Sequence, residues 1–337
     1  MEQYELDPSR TMWIHFVSTA DASLASYRMR TQKPIELLLK LGHKVTIGDE
    51  AEQNAHWNIF SKHLRNELGV MLKLDGVTKR AFDIVDDHFD NPEIGNYYRS
   101  MASAADVVLT PSINMQFLTK QVTTKEVEVL KEPITFPWYP LGLEAKSLPK
   151  LMWFGHTSNI QPLLNELDDM PDDLHLEVIT NGIINGGDFT SLAWREGIVE
   201  ERIGNVDIVL LPIDRERRGA MHKSTNRAVD ALRAGRVVIT NAVEVYGELS
   251  DYIIIADTMA EGIKEYQRYM LHHRKRAREG QKYVLENFND LVIQKEWSSV
   301  LEKHFFDTDD TLIPNTLIKI VEGDNNHAKI PAPKSHS

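Results

Sequence analysis

The residues best suited to chemistry lie between His222 and Glu248, in the stretch HKSTNRAVDALRAGRVVITNAVEVYGE. Ser224 stands where a helix N-cap belongs, beyond the carboxyl end of an apolar strand, VDIVLLPI from Val206 to Ile213. The free N–H groups of the turn that follows such a cap form a ready anion site. Lys223 adds a full positive charge beside it, and Asn226 and Asp230, four residues apart, share a helix face. Phosphate at the tip and hydroxyls along the side are the groups this set would hold. A second anion site is expected at Gly155, His156, Thr157 and Ser158, where the strand LMWFG reaches a glycine turn and Ser158 caps a helix. Asp86, Asp87, His88 and Asp90, in DDHFD, are the densest set of acid, base or metal groups. They suit three roles: a metal site completed from elsewhere, a carboxylate or imidazole orienting a hydroxyl, or helix caps.

The elements that carry these groups repeat one pattern. MWIHFV, the long polar loop STADASLASYRMRTQKP, the helix IELLLKLG stopped at Gly42 and the strand HKVTI make the first unit of a doubly wound sheet. Arg28 and Arg30 in that loop fit a clamp on phosphate or an acidic acceptor, and equally a solvated helix start. Residues 56–68 read as helix, 81–85 as strand, 94–105 as helix, and 105–112 as strand followed by a cap. EVEVLKEPI closes the first half, and the linker Phe136 to Lys150, with three prolines, interrupts the pattern. Two domains, 1–140 and 150–305, with a peripheral tail over 306–337, are therefore expected. Arg215, Arg217 and Arg218 fit either a diphosphate or a solvated turn in which Asp214 and Glu216 offset them.

DALRAG, Asp230 to Gly235, followed by VVIT, resembles the carboxyl-terminal signature of the GT-B glycosyltransferases, particularly the retaining family 4 group. The Ala-Asp pair, apolar strand and Pro-Ser loop at 105–112, and the loop ending in Glu248, are similar to further parts of that family. The resemblance implies two Rossmann-like α/β domains facing a cleft and retaining transfer of a sugar from a nucleoside diphosphate sugar, UDP- or GDP-type. It implies no tightly bound cofactor and no metal. Asp230 matches the second acid of the family signature, which holds the ribose, and His222 stands where the first acid belongs, facing the sugar. Lys223, Ser224 and the 155–158 turn would hold the diphosphate, Asn226 nearby hydroxyls, and Asp87 or His88 the acceptor. Acceptors compatible with this reading are a saccharide, a lipid-linked glycan, a protein or modified DNA. A sugar-nucleotide epimerase of the same fold and a non-catalytic binding module remain open alternatives.

Composition sets outer bounds. With 42% hydrophobic and 26% charged residues the chain is an ordinary globular one. Zero cysteines exclude disulfides, thiolate metal sites and cysteine nucleophiles. A formal charge of -12 argues against a dedicated polyanion binder. No apolar run reaches a membrane-spanning length, and the start MEQYELDPSR is acidic, so a cytoplasmic location is expected. The basic run His272 to Arg278 offers peripheral contact with an anionic membrane or nucleic acid, or a solvated helix face.

Overall fold

The computed structural model describes residues 10–20, 24–61, 67–74, 78–140, 148–171, 173–217 and 219–306. Two parallel six-stranded sheets organise them. The first contains β1 (Trp13–Val17), β2 (Lys44–Gly48), β3 (Trp57–Ser61), β4 (Lys79–Asp83), β5 (Val107–Thr110) and β6 (Glu126–Val129), in the order β2-β1-β3-β4-β5-β6. The second contains β7 (Lys150–Phe154), β8 (His175–Thr180), β9 (Thr190–Ala193), β10 (Ile208–Leu211), β11 (Val237–Thr240) and β12 (Ile254–Ile255), in the order β12-β11-β10-β7-β8-β9. Helices cover both faces, which is why strands such as VVLT and IVLL are buried along their whole length. In the first sheet the winding reverses between β1 and β3, in the second between β7 and β10. Ligands of open parallel sheets gather at the carboxyl ends of strands at such reversals.

One segment departs from the sequence reading. Residues 56–68 were expected to be helical, yet Trp57–Ser61 is a fully buried strand between β1 and β4. A short apolar run buried on both faces has no alternation to distinguish it from a helix turn. The Asn58 side chain gives the strand its anchor, donating to the Glu52 carbonyl at 2.9 Å and to Thr78 Oγ1 at 3.0 Å. β9 is a further strand that the sequence did not announce.

The core of the second sheet is one cluster, whereas the first sheet has a separate cluster on each face. Ile293, Trp297, Val300 and Leu301, from the final helix Asp290–Phe306, complete one of those first-sheet clusters. The helix is tied there by Lys33 Nζ to Asp290 Oδ2 at 3.0 Å and by Gln294 Nε2 to the Leu37 carbonyl at 3.2 Å. The first and last described segments thus meet on the first half, where Arg10 also pairs with Glu302 at 2.6 Å. Of the expected tail, 306–337, Phe306 ends the last helix and residues 307–337 lie outside the described residues, as do Arg218 and residues 141–147 of the linker.

The basic run at 272–278 is in part engaged inside the fold. Arg274 pairs with Asp207 at 3.0 Å and donates to the Tyr266 hydroxyl at 2.8 Å, and His273 lies 3.2 Å from Glu265. Arg276 donates to the carbonyls of Ser250, Asp251 and Ile253. Burial of the helix face that carries them makes these three residues anchors, while His272, Lys275 and Arg278 stay exposed on the opposite face. Among the described residues no helix is long and apolar enough to cross a membrane.

Candidate active site

Three cations converge at the β7/β10 reversal. The turn after β10 and the segment 220–223 bring Arg217 and Lys223, and the short helix Asn226–Arg233 brings Arg227. With Asn159, Pro162, Pro212, Ile213, Asp214 and Ala220 they line one narrow cleft. Lys223 Nζ donates to Asn159 Oδ1 at 2.6 Å, Arg217 Nη1 to the Ser158 carbonyl at 3.0 Å, and Arg227 Nη1 to the Phe154 carbonyl at 3.4 Å. Partial burial, and then repulsion from Arg227 and Arg217, lower the Lys223 ammonium pKa to about 8, while Asp86 across the cleft raises it. Cations held close together at the cost of their own solvation are prepared for a polyanion. Arg227 was not foreseen. Its position one residue after Asn226, on the helix that opens at this cleft, was the available signal.

The turn at 155–158 supplies less than its sequence promised. Gly155 N–H donates to the Ile179 carbonyl at 3.0 Å, Thr157 N–H to Asn181 Oδ1 at 2.8 Å, and Ser158 N–H to His156 Nδ1 at 3.2 Å. These donors are already used, so an anion there would rely on the neighbouring cations. His156, rather than Ser158, caps the turn Thr157–Asn159. A Cβ at 155 would stand 3.0 Å from the Trp153 ring and 3.4 Å from Arg227, a tight fit that any side chain there would have to push apart.

Ser224 sits two residues before the helix, accepting from Asn226 N–H at 3.2 Å while its hydroxyl donates to the buried carboxyl of Glu132. Glu132 comes from the segment after β6, and burial pushes its pKa up. Asn226 Nδ2 donates to Met29 Sδ at 3.1 Å. Asp230 does not face the cleft. It is 2% exposed, accepts from the Thr135 and Phe136 N–H groups at 2.9 and 3.3 Å, and accepts from the Thr135 hydroxyl at 2.9 Å. Both oxygens are committed to the crossover between the two halves, which corrects the ribose role expected of it. Burial pushes its pKa up to about 7, against those three donors.

Opposite, at the carboxyl end of β4, the 86–90 loop faces the second half. His222 Nδ1 lies 3.2 Å from Asp87 Oδ2, within ion-pair reach but off the line of a hydrogen bond. Asp87 Oδ1 accepts from Phe89 N–H at 3.2 Å, so this residue also caps its own turn. The Cβ of Asp87 lies against Gly219, where a side chain would stand 3.4 Å away. His88 packs edge-on to Tyr98 with ring centroids 4.8 Å apart, and Asp90 pairs with Arg99 at 2.7 Å. Among the described residues the His-carboxylate group with ligand atoms mutually within 4.8 Å is Glu126, Glu128 and His304, where Lys303 already bridges the two carboxylates at 3.1 and 2.7 Å.

Arg28 and Arg30 part company. They belong to one π-helical turn, Arg28–Gln32, a geometry often found at functional positions. Arg30 is 1% exposed, bonded to Asp83 and the Leu130 carbonyl, which excludes both the clamp and the solvated reading. Arg28 crosses to the second half and lies over the Trp194 ring, 4.9 Å from its centroid. Arg215 is engaged with Glu244 at 2.7 Å at the surface, and Glu248 lies 4.0 Å from Lys131.

No family model and no curated protein sequence matches the chain. Solved structures do. HepE of Anabaena, in complex with UDP and glucose, superposes with a TM-score of 0.64 at 13% identity, covering 87% of this chain and 100% of that one. A glycosyltransferase from Rickettsia africae gives 0.63 at 12% identity, covering 89% and 100%. An alpha-glucosyltransferase in complex with UDP-glucose and DNA containing an abasic site gives 0.62 at 10%, covering 87% and 100%. The architecture is therefore GT-B: two Rossmann-like α/β halves facing a cleft.

Proposed function

We propose that the protein is a glycosyltransferase that moves a hexosyl or pentosyl group from a nucleoside diphosphate sugar, UDP- or GDP-type, to an acceptor hydroxyl with retention. The reading is carried by the convergence of Lys223, Arg217 and Arg227 at the β7/β10 reversal, facing Asp86 across the cleft. When the bond between the anomeric carbon and the diphosphate oxygen breaks, the electron pair goes to the diphosphate. The three cations meet that growing charge in a preorganised, partly dry site. Ser224, held by Glu132, and the 156–158 turn frame the same cleft. His222 lies toward the sugar, and Asp87 and His88 toward the acceptor. Retention follows the family 4 resemblance, with the acceptor oxygen bonding to the face the diphosphate leaves and its proton passing to a departing phosphate oxygen. The solved complexes with UDP, glucose and UDP-glucose support the donor class. Saccharide, lipid-linked glycan, protein and modified DNA remain the acceptor classes to assay, and peripheral membrane contact belongs with the lipid-linked case.

The test is thermal stabilisation by UDP, GDP and ADP, followed by transfer from the matching nucleotide sugars to that acceptor panel. Lys223→Ala and Arg217→Ala should each weaken nucleotide binding about ten-fold or more, as expected for a charge-assisted phosphate contact. Undiminished binding in both variants would remove the assignment. Nucleotide-sugar turnover without any acceptor would instead favour the epimerase.

A further inference from the structure

Three consecutive residues at the cleft are held from alternate sides. Lys223 is extended, with φ -66° and ψ 155°, so its side chain points one way and those of His222 and Ser224 the other. Lys223 Nζ turns to the second half and reaches Asn159 Oδ1 at 2.6 Å. Its two neighbours turn to acids of the first half: His222 Nδ1 lies 3.2 Å from Asp87 Oδ2, and the Ser224 hydroxyl donates to Glu132. Asn114, on the helix Ile113–Lys120, adds a further first-half contact by donating to the Met221 carbonyl at 3.3 Å.

Glu132 is 5% exposed and sits three residues before Thr135, where the same crossover segment binds Asp230. The helix Asn226–Arg233 is therefore gripped by this segment at two points, ahead of its first turn and near its middle. Ser224 Oγ also accepts from Asn226 N–H at 3.2 Å, so the carboxyl acts on the helix through one shared hydroxyl. Arg30 lies near Glu132, but its guanidinium is bonded to Asp83 and the Leu130 carbonyl. Burial pushes the Glu132 pKa up, Arg30 and the Ser224 bond lower it, and Asp83 and Asp86 raise it. What the arrangement takes from Glu132 is an oriented acceptor oxygen, which a neutral carboxyl also supplies.

Resting on the donor reading above, we propose that Glu132 is a positioning residue for the phosphate site: through Ser224 it fixes the 222–224 segment so that the Lys223 ammonium stands beside Arg217 and Arg227. The cation that meets the diphosphate belongs to the second half, yet its direction is set by the first. Loss of the Glu132 contact frees the ammonium to swing toward water. There the burial and the repulsion from Arg227 and Arg217, which lower its pKa to about 8 against the pull of Asp86, are relieved.

Inorganic pyrophosphate, UDP and GDP are titrated by calorimetry from pH 7 to 9 into wild type, Glu132→Ala, Glu132→Gln, Ser224→Ala and the double variant Glu132→Ala/Ser224→Ala. Glu132→Ala should bind pyrophosphate and the better nucleotide about ten-fold more weakly at pH 7, the range for losing a buried hydrogen bond that serves a charged group. The fall in affinity, which in wild type runs through about pH 8, should move upward in that variant. Glu132→Gln keeps an acceptor oxygen and should restore both the affinity and the profile. Ser224→Ala should reproduce the loss, and the double variant should lose no more than either single one, since both remove the same link. A merely structural Glu132 would lower the melting temperature and leave the pH profile in place, which would overturn the proposal. Additive losses in the double variant would overturn it too, because Ser224 would then act on the phosphates independently. Where Glu132→Ala fails to fold, the half-buried Ser224→Ala and the isosteric Glu132→Gln decide: an unchanged profile in the first, or binding in the second as weak as in the first, overturns the role. Each of these outcomes leaves the donor reading standing. Wild type that binds neither pyrophosphate nor either nucleotide would instead remove the donor reading, and this role with it.

Discussion

At the scale of single residues, two displaced pKa values separate a ligand-binding group from a scaffold group. Lys223, lowered to about 8, loses its proton well before an ordinary lysine. A bound diphosphate favours the ammonium, so nucleotide affinity should fall as pH rises through about 8, and Lys223→Arg, which stays charged, should flatten that fall. Isothermal titration between pH 7 and 9 reads this directly, and identical profiles for the two proteins would contradict it. Asp230 runs the other way. Its folded pKa, about 7, lies above the unfolded value near 3.8, so the folded state binds the extra proton between them. The stability this contributes is complete below about pH 4 and is lost as pH rises to about 7. The melting temperature of Asp230→Asn relative to wild type should therefore rise from about pH 4 to about pH 7, and a difference independent of pH over that window would contradict it. Nucleotide affinity should be untouched by Asp230→Asn, because neither carboxylate oxygen faces the cleft. The sequence pointed to Lys223 and Asp230 alike, since both stand in a motif of the right spacing. Spacing places a residue on a helix face, but only packing reveals that the Thr135–Phe136 crossover lies against that face and claims Asp230.

At the scale of elements, the strand–loop–helix repeats were legible because each helix stop and cap is chemical. Gly235, at φ 69°, ends its helix, and Ser112 caps another by accepting from Met115 N–H at 3.2 Å. What was not legible was the π-helical turn that sends Arg28 across the cleft and Arg30 into the interior from positions two residues apart. No side-chain type announces an extra residue in a helical turn. The helix Gly95–Ala104 shows the same dependence on close approach. A Cβ at Gly95 would stand 2.4 Å from the Phe89 carbonyl oxygen and 3.2 Å from that of His88. Backbone cannot yield as a flexible side chain does, so Gly95→Ala should destabilise the protein by about 1–3 kcal/mol through overpacking. It should also disturb the His88–Tyr98 contact and Asp87 with it, lowering turnover more than nucleotide affinity. Denaturant titration and steady-state kinetics together test this; unchanged stability would mean that the loop is not held by the helix as described.

At the scale of the whole molecule, the chain does not divide at its linker into two independent bodies. The last helix, Asp290–Phe306, follows the second half in sequence but fills the first half's core, with Trp297 fully buried and its ring 6.0 Å from that of Phe16. A fragment ending near residue 140 would leave Phe16, Leu37 and Trp57 without that cover. Domain limits of 1–140 and 150–305, natural from the prolines of the linker, therefore understate how the halves are joined. The joining has a mechanical consequence: any motion that opens the cleft must bend the chain both at the Thr135–Phe136 crossover and before Asp290. Trp297→Ala removes the largest side chain the last helix gives to the first core and should cost about 3–5 kcal/mol. Because that loss falls on the first half while the second-sheet cluster keeps its own contacts, calorimetry should show the melting transition broaden or split, with the earlier part insensitive to nucleotide phosphates bound at Lys223. A single transition at the wild-type temperature would show that the last helix is an ornament on the first half instead of part of its core.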